Sequence, residues 1–141
     1  MTEYLSTDDV VDLYEIAVRA TGDLPQGLRD RGLLESAVMR PQFMAHYQGA
    51  DLFEQAAALA HGISRSQAFM DGNRRAALQA DGNKRAALQA AAVFLRINGY
   101  RLPQDRMPFA RLLLEVSSPE LESAEAEQRL ASWLREHTAP A

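Results

Sequence analysis

Residues 67–90 read QAFMDGNRRAALQADGNKRAALQA, and this stretch decides the fold. Asp71-Gly72-Asn73-Arg74-Arg75 places a carboxylate, a Gly-Asn pair and two cations ahead of an Ala/Leu-rich helical run. Glycine lets the backbone approach a ligand, and a helix start offers unpaired N–H groups and the positive end of a dipole. The pattern suits phosphate and metal. It is then repeated: 71–80 and 81–90 differ only in Arg74 against Lys84. A single site has room for one copy.

The repeat poses a problem of phase. Ten residues of helix advance about 15 Å and turn about 1000°, roughly 80° short of three turns. If the first triplet opens one continuous helix, everything beyond it is out of phase, and Gly82 sits mid-helix at a cost of about 1 kcal/mol. If the second triplet opens the helix, Ala86, Ala90, Val93, Phe94 and Ile97 form one apolar stripe. Burying each of the three large side chains contributes about 1.5–3 kcal/mol, more than a surface bulge costs. The second copy is therefore expected to take the helix register. The first copy then bulges or lengthens the preceding segment, with Phe69 and Asp71 displaced from the pocket.

Around this centre the chain reads as helices. Ser6-Thr7-Asp8-Asp9 predicts a capping box, followed by Val10, Leu13, Tyr14 and Ala17 at helical spacing. A second helix is expected from Arg31 to Met39, ending before Pro41, with residues 40–50 as a loop or short hairpin. A third spans about 51–64 and presents Leu52, Ala56, Leu59 and Ile63. Asn98-Gly99 stops the motif helix. Another begins near Arg106-Met107-Pro108, and Ser118-Pro119 opens the last, which carries Trp133. Glu120 to Glu127 is expected as a solvated face.

The 141 residues suit one domain, residues 1–141, since no linker or shift in composition divides them. An apolar fraction of 47% with 7% aromatics predicts an all-α core of Ala, Leu and Val. The net charge of −4 argues against direct nucleic-acid binding. Absence of cysteine excludes disulfides and fits a reducing cytoplasm. No apolar run approaches the roughly 18 residues a membrane span needs, so a soluble cytoplasmic protein is expected.

Phe69, Asp71, Gly72, Asn73 and Arg75 match in order the motif H-x-F-x-[DE]-G-N-x-R, and the segment resembles the Fic/Doc family. VFLRINGY (93–100), GLRDRGLLESAVMRPQ (27–42) and AAALAHGISRSQAF (56–69) resemble Doc toxins in particular. The resemblance implies a bundle of about six helices, with the motif loop leading into a long central Ala-rich helix. It also implies ATP and Mg²⁺ as cofactors. In Fic proteins AMP is transferred to a protein hydroxyl; in Doc the γ-phosphate goes to elongation factor Tu, which blocks translation. Fic adenylyltransferases follow Gly-Asn with G-R-x-x-R. Here a cation (Arg74 or Lys84) takes the Gly position and the second Arg is missing, which favours a Doc-like kinase over AMP transfer.

By resemblance, Asp71 or Asp81 holds Mg²⁺. Gly72-Asn73 or Gly82-Asn83 meets phosphate, with Phe69 beside them. Arg74 and Arg75, or Lys84 and Arg85, neutralise charge in transfer. Gln67 stands where the family has its catalytic His. An amide cannot take a hydroxyl proton, so activity is expected to be impaired. A non-catalytic binder of antitoxin, nucleotide or target is the alternative. His46, His61 and His137 are read as surface or packing residues. The family's inhibitory pattern [ST]-x-x-x-E-[GN] fails at Ser123 and Gln128, so a separate Phd-type antitoxin is the expected inhibitor.

Overall fold

The computed structural model describes residues 1–70 and 82–141. Among the described residues six helices follow one another: α1 (Thr7–Ala20), α2 (Arg31–Gln48), α3 (Leu52–Ser66), α4 (Gly82–Ile97), α5 (Met107–Val116) and α6 (Ser123–His137). Two short strands, β1 (Tyr100–Arg101) and β2 (Ala139–Pro140), pair antiparallel with Tyr100 opposite Pro140. The all-α expectation holds. Strands of two residues leave no period to read, and this pair was not anticipated.

Helix starts follow their caps. Ser6 accepts from Asp9 N–H at 3.0 Å while the Asp9 carboxylate accepts from Ser6 N–H at 2.8 Å. Asp51 and Glu54 make the same reciprocal pair ahead of α3, at 2.8 and 3.0 Å. Such boxes satisfy N–H groups that a helix start leaves open. α3 is buried without interruption from Gln55 to His61, so it lies at the centre with α2, α4 and α6 packed around it. Small side chains permit this: a Cβ added at Gly62 would come within 3.3 Å of the Ala37 Cβ on α2.

Four expectations are corrected. α2 does not end before Pro41 but continues to Gln48, so residues 40–48 are helix and not a loop or hairpin. A proline inside a helix costs about 3 kcal/mol. Burial of Leu34, Ala37, Val38, Pro41 and Met44 on one face outweighs that cost. Gly49, left-handed at φ 64°, ends the helix instead. Second, the last helix opens at Ser123 and not at Ser118. The Ser118 carbonyl accepts from Leu121 N–H at 3.1 Å, which closes a turn first.

Third, the buried face of α4 is Ala86, Ala87, Ala90, Ala91, Phe94 and Leu95. Val93 is only half-buried and Ile97 is exposed, because the face turned to α3 and α1 runs along the alanines. Fourth, Glu127 is not solvated. It is buried and accepts from Arg40 Nη2 at 2.7 Å and Nε at 3.1 Å, tying α6 to α2.

Candidate functional site

The site forms where α3 ends and α4 begins. Gln67 caps α3 in the left-handed region (φ 54°, ψ 28°), the only non-glycine residue at positive φ among those described. This ends the helix and turns the chain toward residues 27–30. Arg29 fixes the turn by donating to the Gln67 carbonyl from Nε at 3.0 Å and Nη2 at 2.6 Å. The chain then pairs briefly with residues 27–30. Arg29 and Asp30 N–H both donate to the Ala68 carbonyl, at 2.7 and 3.2 Å, and Met70 N–H donates to Gly27 at 3.0 Å. Leu28 and Phe69 are the bridge partners.

Phe69 turns into the core and stacks on Tyr14, with ring centroids 4.0 Å apart and planes within 8°. Its backbone is held from α4. Phe69 N–H donates to Asn83 Oδ1 at 3.0 Å, and Asn83 Nδ2 donates to the Phe69 carbonyl at 3.2 Å. Asn83 is itself buried, so this two-point clamp works away from water, where an unpaired amide is costly. The preceding Gly82 lets Tyr14 come close, since a Cβ there would lie 2.7 Å from Tyr14 Cε1. Tyr14 cannot readily give way: its ring is under Phe69 and its hydroxyl accepts from Gln26 N–H at 3.0 Å.

Lys84 and Arg85 follow in the first turn of α4, Lys84 half-buried. Arg85 Nη1 donates to Thr21 Oγ1 at 2.9 Å and lies 3.3 Å from Asp23 Oδ2, both just past α1. Two cations in the first turn of a helix, at the positive end of its dipole, suit an anionic ligand such as a polyphosphate. Asp71, Gly72, Asn73, Arg74, Arg75 and Asp81 lie outside the described residues, so the carboxylates expected for Mg²⁺ are not placed.

Of the sequence-derived candidates, the fold joins Phe69, Gly82 and Asn83 around Tyr14, with Gln67 two residues before Phe69 and Lys84 and Arg85 just beyond. The expected displacement of Phe69 does not occur. Phe69 stays bonded to the motif asparagine, and that asparagine comes from the second copy. Tyr14, Thr21, Asp23 and Arg29 were not singled out for the site. Tyr14 read as one member of a helical stripe, and nothing local marks the other three.

No described histidine takes the place that Gln67 occupies. His61 lies six residues earlier on α3, about 9 Å of helix rise, and is buried with Nε2 3.2 Å from Ser123 Oγ. Desolvation, aided by the charges of Arg65 and Arg40, pushes its pKa down to about 4. His46 is exposed near the end of α2, edge-on to Tyr47, and His137 stacks on Trp133 near the end of α6. Trp133 is partly buried against the core.

A model of the Fic/DOC family matches residues 4–80 of this chain. The chain belongs to the Fic/Doc family. It is 42% identical over 109 residues to a protein named Toxin Doc from Mycolicibacterium smegmatis (strain ATCC 700084 / mc(2)155), covering 74% of this chain and 72% of that relative. The family match ends with the first copy of the repeat, whereas the clamp on Phe69 is made by the second. Among the described residues no helix is long and apolar enough to cross a membrane.

Proposed function

We propose that this protein is the toxin of a toxin–antitoxin pair, built on the Doc scaffold and held in check by a separate Phd-type antitoxin. Its ancestral reaction moves the γ-phosphoryl group of ATP to a hydroxyl of elongation factor Tu in the cytoplasm and blocks translation. The bond from the γ-phosphorus to the β–γ bridging oxygen breaks, a bond to the hydroxyl oxygen forms, and ADP leaves. Mg²⁺ would shield the phosphates, with Asp81, next to Gly82, as the carboxylate assigned to it. Lys84 and Arg85 would face the charge that moves during transfer. The observation that carries this reading is the Phe69–Asn83 clamp, which keeps Phe69 and the first turn of α4 together in a chain 42% identical to Toxin Doc.

The hydroxyl proton must leave as the new bond forms, and the position where the family has its catalytic histidine holds Gln67. Gln67, an amide that neither accepts a proton at useful pH nor donates one, sits at the turn. We therefore read this chain as impaired in transfer while able to bind. AMP transfer is disfavoured because the second arginine of G-R-x-x-R is missing after Asn83.

The test uses ATP labelled at the α- or the γ-phosphate, with Mg²⁺ and purified elongation factor Tu. The chain as it stands is compared with Gln67→His combined with deletion of residues 71–80. Transfer of γ-label by the repaired protein alone supports the reading. Transfer of α-label instead indicates an adenylyltransferase, and no transfer by either protein leaves the binding reading in its place.

A further inference from the structure

A hollow of about 410 Å³ opens where the end of α2, the first turn of α3 and one side of α6 meet. Glu127, Ala131 and Arg135 fall four residues apart and so turn one face of α6 toward it. Met44 and Ala131, both buried, give it an apolar lining. Its charged lining, among the described residues, is Glu54, Glu127 and Arg135. Hollows of about 300–1,000 Å³ are the size that takes small ligands.

The three charges are not equivalent. Arg135 is engaged elsewhere: its Nη2 lies 2.7 Å from Asp51 Oδ2, and its guanidinium carbon is 5.7 Å from the centre of the Phe53 ring. Glu127 is the opposite case. Its side chain is 9% exposed, and both donors of Arg40 fall on the same oxygen, Oε1, at 2.7 and 3.1 Å. Oε2 has no hydrogen-bond partner among the described residues and is not sealed off, so it looks into the hollow. A carboxylate this deeply buried needs its remaining lone pairs met as well as its charge. Glu54 is exposed and gives only Oε1 to the helix cap, accepting from Asp51 N–H at 3.0 Å. Arg40 balances Glu127 and Asp51 balances Arg135, which leaves Glu54 as the uncompensated charge of the hollow.

We propose that this hollow binds a small free amine: one primary ammonium on a short aliphatic chain. The ammonium donates to Glu127 Oε2, a charge-assisted bond that meets the open lone pairs of a buried carboxylate. The chain lies along Met44 and Ala131, which removes apolar surface from water. One positive charge on the ligand matches the one negative charge that Glu54 leaves over. A neutral alcohol of the same shape lacks the charge, and a quaternary ammonium lacks the N–H donor, so both are rejected. The inference stands on this hollow alone and does not depend on phosphoryl transfer.

The test titrates n-hexylamine into the full-length, nitrogen-15-labelled protein at neutral pH and follows the backbone amide resonances. Hexan-1-ol and hexyltrimethylammonium serve as the neutral and the donor-free twins. Hexylamine is expected to saturate one site, with shifts centred on Met44, Glu54 and the face of α6 from Glu127 to Arg135, and to bind at least about tenfold tighter than either twin. Ser132→Phe, which fills the hollow from an exposed position, should abolish binding. Glu54→Gln should weaken it by about threefold or more, and glutamine still suits the capping box, so the fold is kept. Glu136→Gln, exposed on α6 but outside the hollow, should leave it unchanged. An unchanged thermal melt confirms that each variant folds, and Glu54→Gln carries the test if the melt of Ser132→Phe shifts. Absence of saturation overturns the proposal, as does equal binding of the three probes or undiminished binding by the variants of the hollow. An equal loss in Glu136→Gln overturns it too, because the attraction is then to the acidic surface at large. Tighter binding of Nα-acetyl-lysine methylamide than of hexylamine also overturns it, because the occupant is then a lysine side chain of a polypeptide.

Discussion

Phe69 and Asn83 lie fourteen residues apart in the chain and exchange two hydrogen bonds, through the Phe69 N–H at 3.0 Å and its carbonyl at 3.2 Å. In the pattern F-x-[DE]-G-N that separation is four. The difference is the ten residues of the repeat. The duplication has therefore been taken up between two anchors, Phe69 on the α3 side and Asn83 at the start of α4, without pulling them apart. The core behind them explains why. Phe69 is stacked on Tyr14, and α4 buries Phe94 and Leu95 in the register that Asn83 sets.

Gly82 is the point at which α4 approaches α1. Gly82→Ala places a Cβ 2.7 Å from a Tyr14 ring that is stacked and hydrogen-bonded. Overpacking of this kind costs about 1–3 kcal/mol, even though alanine is the better helix former. Urea denaturation should show that loss, and Tyr14→Leu in the same chain should recover part of it.

Stability should fall with acid because of His61. Its folded pKa is about 4 against an ordinary value near 6.5, so the unfolded chain binds the proton more readily. The neutral ring contributes nothing pH-dependent above about pH 6.5. As pH drops from 6.5 toward 4, stability is lost progressively, by up to about 3 kcal/mol, and the loss levels off below. Denaturation midpoints across this window should be steeper for the native chain than for His61→Gln.

The Arg40–Glu127 pair is asymmetric: the glutamate side chain is 9% exposed and the arginine 43%. Arg40→Ala leaves a buried carboxylate without its partner and should cost about 2 kcal/mol or more. Adding Glu127→Gln removes the orphaned charge and should restore part of the stability. A double-mutant cycle measures the coupling.

Much of this architecture was legible because it rests on local chemistry. Ser6 and Asp9 announced a capping box, Gly99 a helix end at φ 94°, and Met107-Pro108 a helix start. What failed depended on tertiary packing. Pro41 read as a stop, yet α2 runs through it because both flanking turns are buried on the same face. Glu127 read as solvated because its partner, Arg40, is 87 positions away. At the site, the sequence named Phe69, Gly82, Asn83, Lys84 and Arg85 but not what holds them. Tyr14, Arg29, Thr21 and Asp23 reach them from α1 and the segment after it, and no spacing rule links such distant positions.

The central claim is that the second copy supplies the motif asparagine. It is tested most directly by comparing Asn83→Ala with Asn73→Ala in thermal and urea denaturation of the full chain. Asn83→Ala should cost about 2–4 kcal/mol, since it strips two hydrogen bonds from the buried backbone of Phe69. Asn73→Ala should change stability by less than about 0.5 kcal/mol, because those Phe69 groups are already paired. The reverse order, with Asn73 the costly position and Asn83 the silent one, would contradict the account.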